Sequence, residues 1–224
     1  MTTSAAQAAR IVLRPIGNPL PLGFLALAAA TLLVSGLQLE WLAPTDGTAV
    51  AYCLIGFVFP LQLLSSIFGY LARDVVAGTS MGILAGTWLS MGLIMLDAPR
   101  PGATSDALGL FLLIAAVSML VPAAAASTGK LVPALVLATT ALRFCVTGMY
   151  QLTASDTWMA IAGIVGLVLC ALAVYAALAL GLEDAKRETV LPLGRRGYGR
   201  VAMGGDLDGQ LELLEREAGV REQL

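Results

Sequence analysis

Residues 107–126 read ALGLFLLIAAVSMLVPAAAA, twenty consecutive positions without a charged side chain. A helix rises about 1.5 Å per residue, so about 20 apolar residues cover the roughly 30 Å hydrocarbon core of a bilayer. The run is continuous, whereas the strands of a membrane barrel would alternate over segments of about 10 residues. Working outward, five more such runs follow the same pattern, at 20–42, 49–72, 78–96, 131–152 and 158–182. Turn chemistry separates them: Pro44-Thr45-Asp46-Gly47, then Arg73-Asp74, then 97–106 with Pro99 and Pro101, then 127–130, then Ser155-Asp156. The second run contains Pro60 and the third is the shortest, so their limits are the least sharply marked.

Charged residues make up 12% of the 224 positions, against about 25% for a soluble domain. Lipid is the solvent such a chain fits. The predicted fold is all-α and membrane-embedded, with six transmembrane helices per protomer. The chain divides into an N-terminal segment at 1–17, the six-helix domain at 18–182 and a tail at 183–224. The two arginines before residue 15 precede no short apolar stretch with a small-residue cleavage site. The first run is therefore expected to be a retained span, not a removed signal peptide.

Basic residues set the orientation. One side carries Arg10, Arg14, Arg73, Lys130, Lys186, Arg187, Arg195, Arg196 and Arg200; the other carries Arg100. That bias places both termini in the cytoplasm and the protein in the cytoplasmic membrane, with Trp41 and Trp158 near the opposite interface. The tail changes character along its length. Positions 194–205 are rich in glycine and arginine and read as flexible. Positions 206–224 are acidic, with Leu207, Leu211 and Leu214 at helical spacing, and read as a solvated helix or a partner-binding segment.

The absences narrow the function. The chain has no histidine, which removes Ser–His catalysis, His-ligated metals and His proton relays in their usual form. Cys53, Cys145 and Cys170 fall inside apolar runs at unrelated spacings and read as small core residues. Glu40, Asp46, Asp74, Asp97, Asp106 and Asp156 all fall at span ends or in loops, so no carboxylate marks a mid-membrane relay. An enzyme is not expected, nor a metal, a cofactor or a nucleic-acid partner.

One ionisable residue does lie deep. Arg143 is the thirteenth residue of the fifth run, and an arginine at mid-bilayer costs about 2.5–3.5 kcal/mol or more. It must face a cavity or a partner. Thr139, Thr140 and Thr147 surround it in sequence, and a fixed cation among hydroxyls attracts a passing anion. The structural alternative is an arginine bonded to carbonyls of a kinked neighbouring helix, at Pro60 or Pro122. Small residues also line the third run at Gly78, Gly82, Gly86 and Ser90, and the sixth at Ala162, Gly166, Cys170, Ala173, Ala177 and Gly181. Such stripes mark close helix packing within a protomer, contacts between protomers, or a pore wall. Other polar residues within the runs, among them Thr31, Ser35, Gln38, Gln62, Ser65, Ser66 and Thr87, read as interhelical hydrogen bonds.

Three motifs give a resemblance. Asn18-Pro19-Leu20-Pro21-Leu22-Gly23 precedes the first span, where Asn can cap a helix and Pro suits its first turn. It is similar to the Asn-Pro-x-Pro-Leu-Gly signature of the acetate uptake transporter family, which includes bacterial succinate–acetate permeases. Gly78-Thr79-Ser80-Met81-Gly82 resembles the start of that family's third helix. Thr189-Val190-Leu191-Pro192-Leu193-Gly194 resembles the run after its sixth, and the stretch from Gly163 to Tyr175 resembles that helix. The likeness spans residues 18 to 194.

It implies a six-helix protomer enclosing its own pathway, a ring-shaped homo-oligomer (a hexamer), and transport of small carboxylates such as acetate or succinate as a permease or anion channel. Asn18, Phe24, Leu27, Thr139, Arg143 and Thr147 are the expected pathway residues. Phe24 and Leu27 stand nearest to the family's hydrophobic constriction. Two departures bear on substrate size: the family's aromatic in the first helix is displaced, and its third-helix aromatic segment is reduced to Thr87-Trp88-Leu89-Ser90. Arg143 itself is unlike the apolar fifth helix of the better-known permeases. The competing readings are a channel for small neutral solutes of the urea or amide type and a non-conducting sensor signalling through the acidic tail.

Overall fold

A computed structural model describes residues 16–186, 188–197 and 200. Arg10, Arg14, Arg187 and the acidic stretch 206–224 lie outside the described residues. Among the described residues six helices are long and apolar enough to span a membrane: α1 Leu20–Gln38, α2 Pro44–Leu71, α3 Val75–Leu96, α4 Asp106–Ser127, α5 Leu131–Thr153 and α6 Asp156–Lys186. Each packs against its neighbours in the chain, and α1 packs along α6, so the six close on themselves. One end of the bundle holds the start of α1 and the end of α6, here the terminal end. The other is the distal end.

The expected spans are all present, with instructive differences. α2 begins as a 3₁₀ turn at Pro44–Asp46 and passes through a π-helical segment, Leu54–Val58, just before Pro60. Proline has no N–H for the helical ladder, and the wider π turn accommodates the interruption without ending the span. α6 runs four residues beyond the expected limit at Leu182, to Lys186, and buries Glu183.

The loops are short because local groups satisfy the helix ends. α1 and α2 finish in Schellman turns: Trp41 N–H donates to Gly36 O at 2.8 Å and Asp74 N–H to Gly69 O at 2.9 Å. Glu40 and Arg73 occupy the left-handed positions of those turns, where glycine is usual. Asp74 accepts from Ala77 N–H to start α3, and Ser105 accepts from Leu108 N–H to start α4.

Seams between helices use small residues, some from the predicted stripes and some, Gly109 and Gly148, outside them. Gly109 of α4 and Gly148 of α5 face each other so closely that a Cβ on Gly148 would stand 2.9 Å from Gly109 O. Gly78 and Gly82 pack on α2, where Tyr70 and Ser66 occupy the space their side chains would need. Ser66 Oγ donates to Gly78 O at 2.7 Å. Gly86 departs from the stripe, with open space at its Cβ position. Outward faces are apolar: Leu110, Ile114, Val117 and Val121 of α4 are exposed at helical spacing, the surface a lipid-facing helix presents.

The glycine- and arginine-rich start of the tail, expected to be flexible, is tied down as far as Gly197. Leu193 is buried, and Tyr175 donates to Pro192 O at 3.0 Å. Leu131 and Val132, at the first turn of α5, donate their N–H groups to Gly194 O and Leu193 O, both at 3.1 Å. A helix start leaves such donors without intrahelical partners, and the tail supplies the acceptors. Gly194 has φ +63°, and a Cβ there would meet Leu131 Cβ at 2.6 Å, so the turn requires glycine. Arg195 pairs with the buried Glu183, which also accepts from Thr189.

Candidate functional site

The distal end opens into a vestibule of about 640 Å³ between the helices. Its lower wall includes Val34 and Gln38 of α1, Met91 of α3, and Thr147 with Tyr150 and Gln151 of α5. Gln151 also accepts from Ser105 N–H at 2.8 Å, which anchors the loop before α4 to α5.

Two short polar ladders descend from this floor. On α5, Thr147 lies one turn distal of Arg143; on α1, Gln38 lies one turn distal of Ser35. Arg143 is 1% exposed. Its Nη1 donates to Thr147 Oγ1 at 2.8 Å, and the Thr147 hydroxyl donates to Arg143 O at 2.7 Å. Among the described residues Nε and Nη2 have no partner, nor do Ser35 Oγ, Gln38 Oε1 or Trp88 Nε1. No carbonyl of a Pro-interrupted neighbour accepts from Arg143, so the structural alternative raised from the sequence is not what the structure contains.

The ladders converge at Gly166 of α6. A Cβ on Gly166 would overlap Ser35 Oγ and stand 2.8 Å from Arg143 Nε and 3.1 Å from Cζ. Glycine here admits the guanidinium to the bundle interior, with α1 on one flank and α5 on the other. An unpaired cation removed from water is costly, and so is an unpartnered donor. The guanidinium therefore keeps two donors without acceptors, which are complementary to an anion, whereas Gln38 Oε1 is an acceptor without a donor.

The expected pathway residues separate into groups. Arg143 and Thr147 are directly joined. Thr139 is half-buried one turn toward the terminal end and takes no part in the Arg143–Thr147 bonds. Phe24 and Leu27 are wholly buried in the hydrophobic core to which all six helices contribute. Trp88 and Phe144 meet edge-to-face in that core, ring centroids 5.9 Å apart. Asn18 Oδ1 accepts from Leu20 N–H at 3.1 Å and so stands at the terminal end of α1, about 25 Å of helix rise from Ser35.

The motif residues mostly hold helices together. Gln62 donates to Gly23 O at 3.2 Å, Tyr70 bonds Thr79 at 3.0 Å, and the 189–194 run straps the tail to α5 and α6. The geometry adds Ser35, Gln38 and Gly166 to the candidate set. The sequence suggests interhelical hydrogen bonds for Ser35 and Gln38, and for Gly166 a stripe of close packing, protomer contact or pore wall. Their only advance signal was spacing: a hydroxyl and an amide three apart on α1, and a glycine in a small-residue stripe.

Residues 2–192 match the GPR1/FUN34/yaaH family, and the chain belongs to it. No curated protein matches the chain. Among solved structures, one described as that of the bacterial acetate channel SatP superimposes with a TM-score of 0.71 at 22% identity, covering 80% of this chain and 99% of that one. At that identity the likeness concerns the fold: the six helices and their order.

Proposed function

We propose that this family member conducts small carboxylates, acetate foremost, across the cytoplasmic membrane as a permease or anion channel. The observation that supports it most is Arg143, buried mid-span beneath the vestibule with Nε and Nη2 unpaired. A single fixed positive charge in a bundle without a mid-span carboxylate favours an anionic solute over a neutral one. The resemblance to a structure described as an acetate channel is in keeping with this reading.

The basic-residue count puts both termini in the cytoplasm, so the vestibule opens outward and the anion enters from outside, past Gln38 and Thr147, toward Arg143. In this reading Phe24 and Leu27, both buried, form the constriction on the cytoplasmic side of Arg143. The family resemblance supports assembly into a homohexameric ring, each protomer with its own pathway. A proton, where transport is proton-linked, travels on the substrate's own carboxyl group or through a carboxylate near the pathway's mouth.

Uptake of labelled acetate into proteoliposomes tests the proposal, with urea as competitor. Saturable acetate uptake that urea leaves unchanged is the expected result. Urea uptake with no acetate uptake would make the protein a neutral-solute channel.

A further inference from the structure

This inference rests on the reading of Arg143 as the anion-attracting residue and concerns the shape of the anion it takes. A guanidinium presents its donors along edges, and which edge is free decides what it can read. Thr147 occupies Nη1 at 2.8 Å, while Nε and Nη2 are without partners. Those two nitrogens share one edge, on which two parallel N–H bonds match the two oxygens of a carboxylate. Ser35 Oγ, also unpartnered, lies beside that guanidinium across Gly166.

We propose that the Nε/Nη2 edge of Arg143, with Ser35 beside it, is a seat for one planar two-oxygen anion, selecting carboxylates over spherical anions of equal charge. The fork supplies two parallel hydrogen bonds, and Ser35 can donate a third. A halide takes the same charge attraction but cannot accept both fork bonds along their preferred directions. The seat also holds a single charge. Arg143 is the only basic side chain that is buried among the described residues, so a second carboxylate on the same solute finds no cation in the bundle interior. The substrate class is thus a short monocarboxylate, in preference to a dicarboxylate dianion. Planar nitrate shares the recognised geometry and competes for the seat.

The test is competition against labelled acetate uptake in proteoliposomes. For the wild-type chain, formate and nitrate are expected to inhibit at concentrations about tenfold or more below those of chloride, the weight of one charge-assisted hydrogen bond. Arg143→Lys keeps the charge and loses the fork, so its acetate uptake is expected to fall and its formate-to-chloride ratio to approach one. Chloride competing as well as formate in the wild type overturns the proposal without any variant. So does a wild-type ratio retained in Arg143→Lys. An absence of acetate uptake in the wild type removes the transport reading and this seat with it, a result separate from loss of selectivity.

Discussion

Thr147 and Arg143, one turn apart on α5, are joined twice: Nη1 donates to the threonine hydroxyl at 2.8 Å, and that hydroxyl donates to the arginine's own carbonyl at 2.7 Å. The threonine oxygen is thereby both acceptor and donor, and its direction is set by the helix backbone. One end of the guanidinium is fixed, which leaves the Nε/Nη2 edge in a defined orientation.

Thr147→Val keeps the shape of the side chain and removes both bonds. The guanidinium then loses its anchor but keeps its charge. The half-saturation concentration for acetate is expected to rise about fivefold, the equivalent of one hydrogen bond of about 1 kcal/mol, with a smaller change in maximal flux. Transport assays over a range of acetate concentrations read this directly. An unchanged half-saturation value would show that Thr147 does not orient Arg143.

Gly166→Ala places a methyl group where Ser35 Oγ and the guanidinium meet. Overpacking of a buried site costs about 1–3 kcal/mol, and here the neighbours that must move are Ser35 and Arg143. Acetate uptake is expected to fall several-fold in protein that still folds. Thermal unfolding measured beside the flux separates the two effects. Wild-type flux in this variant contradicts the placement of the site.

The glycines of the helix seams give a contrasting pair. Gly148→Ala sets a Cβ 2.9 Å from a backbone carbonyl that cannot turn aside, whereas Gly86→Ala adds its methyl to open space. The first is expected to lower the melting temperature of the detergent-solubilised protein by several degrees. The second should leave it unchanged or raise it, since alanine favours a helix by about 1 kcal/mol over glycine. Equal melting temperatures would contradict the seam.

Breaking the strap beneath α5 should act on stability and local opening. Glu183 is buried and paired with Arg195, and removing one member of a buried pair costs about 3 kcal/mol. Glu183→Gln is expected to speed hydrogen exchange at the amides of Leu131 and Val132, which the strap's carbonyls hold. Unchanged exchange at those two amides would show that the strap is held by other contacts.

The fold was legible because lipid imposes a simple requirement. Each span needs a long apolar run, and all six runs appear in the sequence close to the limits the structure gives. Pro60 signalled an interruption, although not the π-helical form it takes. Arg143 was legible for the same reason, since a charge in the middle of such a run is costly wherever it points.

Its surroundings were not legible. Ser35 and Gly166 are 131 positions apart in the chain and meet only because α1 packs along α6. A serine in a span reads as packing until its unpaired oxygen is seen beside a guanidinium. The first residues of the tail, 194–197, misled for another reason, while 198–199 and 201–205 lie outside the described residues. Their glycine and arginine content suggests a flexible linker, but the unsatisfied N–H groups at the start of α5 are a tertiary feature that composition does not record.

On the proposed reading, Arg143 draws a carboxylate through the bundle. The decisive comparison is the initial rate of labelled acetate uptake into proteoliposomes for the wild type and Arg143→Leu, at equal incorporation and equal oligomeric state. A loss of about tenfold or more is expected, since the buried charge-assisted bonds vanish with the guanidinium. Wild-type rates in Arg143→Leu would contradict it.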